Sequence, residues 1–183
     1  MPSTPQGVPI TLTLNGERRD VTVDPWVTVL DLVREQFGLT GSKKGCDHGQ
    51  CGACTMIVDG KRVNSCLLLA VAKDGSSITT IEGLGQPGNL HPLQEAFVEH
   101  DAYQCGYCTP GQICSAAALI QHGDSRSGPP PLRDRAEIRE LMSGNICRCG
   151  AYTNIVDAIE DVLGRGNSAE DGRSQERVQE VTL

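Results

Sequence analysis

Eight of the nine cysteines in this 183-residue chain fall into two groups with short, regular spacings. The first group has the spacing C-x4-C-x2-C-x11-C and consists of Cys46, Cys51, Cys54 and Cys66. The second group joins a C-x2-C pair to a C-x-C pair and consists of Cys105, Cys108, Cys147 and Cys149. Two sets of four thiols predict two metal centres. The fold must therefore bring each set of four sulfurs together.

The first spacing is typical of plant-type [2Fe-2S] ferredoxins. Such a cluster is negatively charged, so its loop has to offer backbone N–H groups to the sulfurs. The loop contains glycines at positions 45, 49 and 52, where close backbone approach costs least. A hairpin turn at Asp59-Gly60 then reverses the chain and brings Cys66 toward the loop. A chain built around two such centres is expected to transfer electrons.

The second group needs a different scaffold, because its two pairs lie far apart in the chain. Thr109 and the three residues after it predict a helix start directly after Cys108, with Thr109 as N-cap and Gln112 completing a capping box. The positive end of this helix would favour thiolate and cluster charge. The C-x-C pair lies between a short helix that ends at Ser143 and a helix that begins at about Thr153. Ligand pairs at the ends of paired helices can close a four-sulfur site.

Disulfide bonds and structural zinc are the competing interpretations of these cysteines. An odd number of cysteines disfavours a disulfide framework, as does the reducing cytoplasm in which we expect the protein. C-x2-C pairs suit zinc, but a glycine-rich x4-x2 triple is not a usual zinc spacing. Iron-sulfur binding is therefore favoured. The ninth cysteine, Cys114, is expected to be a small buried residue beside Ala117 and Ala118.

Composition excludes several classes of protein. Aromatic residues make up only 3% of the chain, so its cores are thin and metal ligation is expected to contribute to folding. The formal net charge is −7 and there is no basic stripe, which gives nucleic acid binding no basis. No segment approaches the roughly 20 apolar residues of a membrane span. The polar N-terminus carries no apolar export segment, so we expect a cytoplasmic protein that binds neither membrane nor nucleic acid.

The predicted fold class is α+β. Residues 1–83 are expected to form a β-grasp, plant-type ferredoxin-like domain. Its predicted elements are a hairpin turning at Asn15-Gly16, a helix over residues 28–37 capped by Thr28, a second hairpin at Asp59-Gly60, and a last strand over residues 77–81. The G-x-G-x-x-G sequence at residues 83–88 is interpreted as part of an interdomain linker over residues 84–89. Pro87 interrupts this sequence and no parallel strand follows it, so a dinucleotide site is not expected.

Residues 90–164 are predicted to form a four-helix-bundle domain that binds the second [2Fe-2S] cluster. The predicted helices cover residues 92–99, 110–122, 134–142 and 154–163. Residues 123–131 are rich in glycine, serine and proline and are expected to form an exposed loop. Apolar periodicity is lost after Gly164, so residues 165–183 are predicted to be a disordered tail.

Three segments carry a specific resemblance to a known family. They are KGCDHGQCGACT at residues 44–55, QCGYCTPG at residues 104–111 and GNICRCG at residues 144–150. These segments resemble the iron-sulfur subunit of the xanthine oxidase family of molybdenum hydroxylases, over residues 10–163. Within that family, DHGQ at residues 47–50 and NLHPLQ at residues 89–94 are most similar to bacterial three-subunit aldehyde oxidoreductases.

The resemblance implies an electron-transfer subunit that serves an oxidoreductase and holds no substrate site of its own. Its expected partners are a large subunit with a molybdopterin cofactor, often in the cytosine dinucleotide form, and a medium subunit with FAD. The resemblance implies that the cluster on Cys105, Cys108, Cys147 and Cys149 receives electrons before the cluster on Cys46, Cys51, Cys54 and Cys66. Gln104 and Cys149 match the family positions that contact the pterin. The expected reaction is oxidation of an aldehyde to a carboxylic acid, and the alternative is a free-standing two-cluster ferredoxin.

Overall fold

The computed structural model describes residues 7–122 and 134–179 of the chain. Its first half contains five strands, β1 to β5, at Val8–Leu14, Glu17–Val23, Thr55–Val58, Lys61–Asn64 and Ser77–Thr79. They form one sheet in the order β2-β1-β5-β3-β4. The sheet is mixed, because β1 and β5 are parallel whereas the other neighbouring pairs are antiparallel.

Both predicted hairpins are confirmed. Asn15 and Gly16 have φ values of 51° and 84°, and Asp59 and Gly60 have φ values of 50° and 76°. Two consecutive residues with positive φ form the turn whose twist matches that of the flanking strands. The second hairpin pairs Thr55 with Asn64, which brings the start of β3 next to the segment that carries Cys66. The 3-10 turn Ser65–Leu67 places Cys66 directly after β4.

The first core lies between the sheet and a short helix, α1, at Val29–Asp31. Thr28 is its N-cap as predicted, with Oγ1 accepting a hydrogen bond from the Asp31 N–H at 3.1 Å. Two of the four cysteines of the first group, Cys54 and Cys66, belong to this core.

The predicted α-helix over residues 28–37 is only partly correct. The chain changes to a π-helical turn at Leu32–Gln36, where the Phe37 N–H donates to the Leu32 carbonyl at 3.3 Å. The apolar periodicity that predicted this helix does not distinguish an α-helix from a π-helix over a single turn. In the wider turn, the Arg34 guanidinium donates to the carbonyls of Thr40 and Ser42, at 2.9 and 2.6 Å, and so holds the start of the cysteine loop.

The second half contains four helices, α2 to α5, at Pro92–Glu99, Thr109–His122, Arg135–Met142 and Tyr152–Gln179. They share a second core with the β3 residue Ile57. Asp134 caps α4 by accepting the Glu137 N–H at 2.9 Å. The loop predicted at residues 123–131 lies outside the described residues. None of the helices within the described residues has the length and apolar character needed to cross a membrane.

The tail predicted to be disordered covers residues 165–183 and stays a prediction; the backbone of α5 is helical as far as Gln179. The prediction depended on the loss of apolar periodicity. A helix that is already nucleated on a core can continue beyond that core, because each added residue contributes a backbone hydrogen bond without a new nucleation cost.

Candidate metal centres

The first group of cysteines converges at one end of the mixed sheet. Cys46, Cys51 and Cys54 lie in the loop before β3, and Cys66 lies in the turn after β4. Side-chain hydrogen bonds join the Cys46 thiol to Cys51 and the Cys66 thiol to Cys54. Cys66 is also close enough to Cys46 for their charges to interact. All four thiols therefore lie together at this end of the sheet, and their role as ligands of one cluster stays a prediction.

Backbone N–H groups are aimed at the sulfur of Cys46. The N–H groups of Gln50 and Cys51 donate to Cys46 Sγ at 3.3 and 3.4 Å. Backbone hydrogen bonds from His48, Cys51 and Gln50 lower the pKa of Cys46 to about 6, although burial opposes the change. The loop thus stabilises negative charge on sulfur before any metal is bound.

Close wrapping of the loop depends on Gly45. A Cβ at this position would lie 2.8 Å from Cys51 Sγ, which is shorter than a real carbon–sulfur contact. A side chain at position 45 would therefore crowd the sulfur of Cys51. Lys44, directly before Gly45, links the loop to α1, because its Nζ lies 2.5 Å from Asp31 Oδ1. The same Nζ lies 3.7 Å from Asp47 Oδ2 within the loop.

The second group also converges, in two pairs. Side-chain hydrogen bonds join Cys105 to Cys149 and Cys108 to Cys147, and Cys108 also interacts electrostatically with Cys105. Cys105 is exposed, whereas Cys147 is buried in the second core. The Ala151 N–H donates to Cys147 Sγ at 3.4 Å. This site therefore extends from the core of the helical half to the protein surface.

The N-terminus of α3 is arranged differently from the predicted capping box. Gln112 is buried; its Nε2 donates to the Asn145 carbonyl at 2.9 Å and its side chain also hydrogen-bonds Cys108, whereas its Oε1 accepts no hydrogen bond within the described residues. Thr109 is the first residue of α3, and its buried Oγ1 has no hydrogen-bond partner within the described residues. The Gln112 N–H instead donates to the Cys108 carbonyl at 3.0 Å. The Gln112 side chain is therefore turned toward Asn145, and its Oε1 does not accept the N–H that a capping box requires.

Burial makes several thiols weak acids. Burial, together with a hydrogen bond from Cys54, raises the pKa of Cys66 to about 11. Burial and the nearby Cys147 raise the pKa of Cys108 to about 12, so the helix N-terminus does not make Cys108 a free thiolate. Cys114 is fully buried as predicted, and burial raises its pKa to about 12. Metal binding at Cys66 and Cys108 must therefore release protons.

The two sites meet at Asn145, a residue for which the sequence indicated no role. Its buried amide Nδ2 donates to the Gly52 carbonyl at 3.0 Å, to Thr55 Oγ1 at 3.1 Å and to the Gly111 carbonyl at 3.2 Å. The next residue, Ile146, donates its N–H to the Cys51 carbonyl at 2.8 Å. In the sequence, only the position of Asn145 two residues before Cys147, within the GNICRCG segment, could have indicated a role for it.

Gln104 and Cys149 lie at the outer end of the second site. Gln104 is exposed beside the exposed Cys105, and Cys149 is partly exposed. Large apolar side chains are exposed near these residues in the chain, namely Tyr103, Tyr107, Ile146 and Tyr152. The Tyr107 hydroxyl donates to the Lys44 carbonyl at 2.7 Å and so links this surface to the first loop.

Both sets of donors fit a binuclear iron-sulfur cluster. The thiols meet as pairs, and a [2Fe-2S] cluster held by four cysteines places two thiolates on each of its irons. Among the side chains that the structure describes, in residues 7–122 and 134–165, no three His, Cys, Asp or Glu are grouped as ligands of a single ion. Paired sulfurs, N–H donors to sulfur and the space left by Gly45 together suit two clusters of this type.

Comparison with known proteins gives matches to both halves. Residues 12–78 match the model of the 2Fe-2S iron-sulfur cluster binding domain, and residues 80–160 match that of the [2Fe-2S] binding domain. The iron-sulfur-binding subunit PaoA of the Escherichia coli K12 aldehyde oxidoreductase is 57% identical over 170 residues, which are 87% of this chain and 73% of that protein. The nicotine 6-hydroxylase small subunit of Paenarthrobacter nicotinovorans is 47% identical over 164 residues, which are 90% of this chain and 94% of that protein.

Solved structures agree with these matches. A chain of quinoline 2-oxidoreductase from Pseudomonas putida 86 superimposes with a TM-score of 0.78 and 44% sequence identity, covering 86% of this chain and 93% of that chain. Aldehyde oxidoreductase from Desulfovibrio gigas gives a TM-score of 0.80 with 42% identity, covering 88% of this chain and 17% of that chain. In the second case the similarity is confined to one part of a much longer polypeptide.

Proposed function

The chain belongs to the iron-sulfur subunits of the xanthine oxidase family of molybdenum hydroxylases, and we propose that it carries electrons from a molybdopterin-containing large subunit to an FAD-containing medium subunit. It is an electron-transfer subunit of an oxidoreductase. The observation that carries the proposed route is the contact between the two four-thiol sites, through Ile146 N–H and the Cys51 carbonyl.

Each site is proposed to hold one [2Fe-2S] cluster, which supplies a reversible one-electron carrier when bound. The ligands of one cluster would be Cys46, Cys51, Cys54 and Cys66. The ligands of the other would be Cys105, Cys108, Cys147 and Cys149. The hydrogen-bonded thiol pairs support this partition, since each pair can serve one iron.

The second site is proposed to face the molybdenum subunit. Its exposed end carries Gln104, whose amide can donate to and accept from the edge of a pterin, and Cys149 would lie against the same cofactor. The exposed tyrosines near this end offer apolar area for a partner surface. The cytosine dinucleotide form of the pterin is proposed from similarity to the aldehyde oxidoreductases, as is oxidation of an aldehyde to a carboxylic acid.

The two sites are proposed to lie in separate domains, at residues 1–83 and 90–164, joined by a linker over residues 84–89. The strand order β2-β1-β5-β3-β4 around α1 supports a β-grasp for the first domain. The four helices that share the second core support a four-helix bundle for the second. A cytoplasmic location is proposed on the reducing conditions that free thiols require.

A free-standing two-cluster ferredoxin remains the contrasting hypothesis, and co-purification separates the two. We expect the affinity-tagged chain, isolated from its native host, to bring down a larger subunit containing molybdenum and a subunit containing FAD. Isolation of the loaded chain alone, with no molybdenum or flavin at any salt concentration, would favour the free ferredoxin.

The anaerobically purified chain tests cluster binding itself. We expect two irons and two acid-labile sulfides per site, and two distinct EPR signals after reduction, because each site forms its own hydrogen-bonded set of four thiols. Metal analysis that finds mainly zinc, or a single signal integrating to one spin per chain, would contradict the proposal.

A further inference from the structure

The segments that carry the two cysteine groups are in direct contact through one buried side chain. Asn145 is only 5% exposed, and its amide protons face three oxygen acceptors. Two of these acceptors, the Gly52 carbonyl and Thr55 Oγ1, flank Cys54 on the first loop and β3. The third, the Gly111 carbonyl, lies in the first turn of α3, three residues after Cys108. One amide group therefore connects three segments that hold ligands.

The backbones of the neighbouring segments are packed closely at this junction. A Cβ on Gly111 would overlap the Gly52 carbonyl oxygen, and a Cβ on Gly52 would lie 2.5 Å from the Gly144 carbonyl oxygen and 2.7 Å from Asn145 Nδ2. The backbone of the first cysteine loop thus packs directly on the N-terminus of α3. The polar group that depends on this junction is the Asn145 amide itself, because a buried amide left without its hydrogen bonds costs about 1 to 3 kcal/mol. The Gly52 carbonyl also accepts from the N–H and the hydroxyl of Thr55.

Asn145 also holds its own segment in place from both sides. Its N–H donates to the Met142 carbonyl at 2.9 Å, and its carbonyl accepts from Gln112 Nε2 at 2.9 Å. The following N–H, that of Ile146, reaches the Cys51 carbonyl at 2.8 Å. A chain of covalent bonds with a single hydrogen bond then leads from Cys51 to Cys147. These two cysteines belong to different sites.

We propose that Asn145 is a positioning residue that fixes the separation of the two four-thiol sites and maintains the Ile146–Cys51 hydrogen bond between them. The inference rests on the proposed function, because it concerns the passage of electrons from one cluster to the other. Asn145 touches no sulfur in any described contact and acts through the backbone of Gly52, Gly111 and Ile146. Its loss would change the relation between the sites and leave each set of four ligands complete.

The test is EPR spectroscopy of the full chain, loaded with clusters and reduced at both sites. Two neighbouring reduced clusters are both paramagnetic and split each other's signals, by an amount that falls as their separation increases. We expect splitting in the wild-type chain. In Asn145→Ala we expect both signals to persist, each integrating to one spin, with the splitting reduced or lost.

Asn154→Ala is the matched control. The Asn154 amide also donates to two carbonyls, those of His100 at 2.9 Å and Asp101 at 3.3 Å, but all three residues lie in the helical half. This variant should lose some stability and keep the wild-type splitting, which separates a positioning role from a general loss of stability. Equal splitting in wild type and Asn145→Ala would overturn the proposal.

Asn145→Ser retains one hydrogen-bond donor and is used if Asn145→Ala loses a cluster. We expect the splitting in Asn145→Ser to be smaller than in the wild type but not lost. A splitting equal to that of the wild type would again overturn the proposal. Loss of a cluster signal from both variants would assign Asn145 to a ligand site, and would overturn the proposal too. Absence of two signals in the wild type would be a failure of the proposed function, which is a distinguishable result.

Discussion

At the scale of single residues, cysteines that belong to the same site differ widely in acidity. Backbone hydrogen bonds from His48 and its neighbours lower the pKa of Cys46 to about 6, whereas burial raises the pKa of Cys66 to about 11. Cys46 is therefore ionised at neutral pH in the metal-free site, and Cys66 is protonated. The first site is prepared to receive iron at one thiol and has to release a proton at another.

Gln104 is the residue for which the structure and the proposed function make a sharp mutational prediction. Gln104 is exposed in the isolated chain and belongs to neither of the two cores. In the assembled complex, Gln104→Ala should slow the reduction of both clusters by aldehyde or weaken cofactor retention, because a pterin group left without its partner costs about 1 to 3 kcal/mol. The measurements are cluster reduction by aldehyde and molybdenum content.

Gln121→Ala, at an exposed position near the end of α3, is the control for Gln104→Ala. Both variants should keep both cluster spectra, and Gln121→Ala should also keep the wild-type rate. If Gln104→Ala has the wild-type rate and the wild-type molybdenum occupancy, Gln104 does not belong to the cofactor contact.

At the scale of elements, the helix α3 is held by its first turn as much as by its apolar face. Its N-terminus receives the Asn145 amide, lies against the Gly52 carbonyl and carries the buried Gln112 that reaches Asn145 in return. The adjacent strand β3 supplies Ile57 to the same core. A helix placed in this way fixes Cys108 relative to the first loop.

Gly111→Ala tests this contact, because the same substitution normally stabilises a helix by about 1 kcal/mol. Here we expect a lower unfolding temperature for the loaded chain, since the added Cβ would overlap the Gly52 carbonyl oxygen. Gly164→Ala in α5 is the matched control, because its Cβ would meet no atom within 4 Å. Thermal unfolding of both variants should give changes of opposite sign, and a stabilising Gly111→Ala would mean that the junction is loose.

At the scale of the whole molecule, two thin cores each enclose part of one cysteine group. Cys54 and Cys66 pack in the first core, and Cys147 packs in the second. The halves are joined by polar contacts as well as by Ile57, including Arg62 Nη1, which donates to Ser115 Oγ at 3.1 Å and to the Leu141 carbonyl at 2.5 Å. The molecule is thus two metal-binding units with a specific, hydrogen-bonded junction.

Cys54→Ser should abolish or strongly perturb one EPR signal and leave the other, because the two sets of thiols are packed in different cores. Cys114→Ala should leave both signals unchanged, since Cys114 is fully buried and no cysteine of either set is among the groups that shift the pKa of its thiol. The measurement is EPR of each reduced variant, with folding checked by circular dichroism. Simultaneous loss of both signals from a folded Cys54→Ser chain would refute the proposed partition of ligands.

Much of the local structure was predictable because its signals are local. Asn15-Gly16 and Asp59-Gly60 need no distant partner to adopt positive φ, and Thr28 caps α1 with its own side chain. The capping box at Thr109 and Gln112 failed for the opposite reason. The Gln112 side chain is turned toward a distant carbonyl, that of Asn145, and no local pattern reports that contact.

The sequence by itself determined the two groups of cysteines, the hairpins, most helix bounds and the family, because ligand spacing, turn residues and apolar periodicity act over a few residues. Only the tertiary structure decided how the two sites meet. The acceptors of Asn145 Nδ2 lie 93, 90 and 34 positions away in the chain, and they become neighbours only when the first loop packs on α3. The pKa values of Cys46, Cys66 and Cys108 were decided in the same way, because burial and N–H donors depend on the packed chain and not on the cysteine itself.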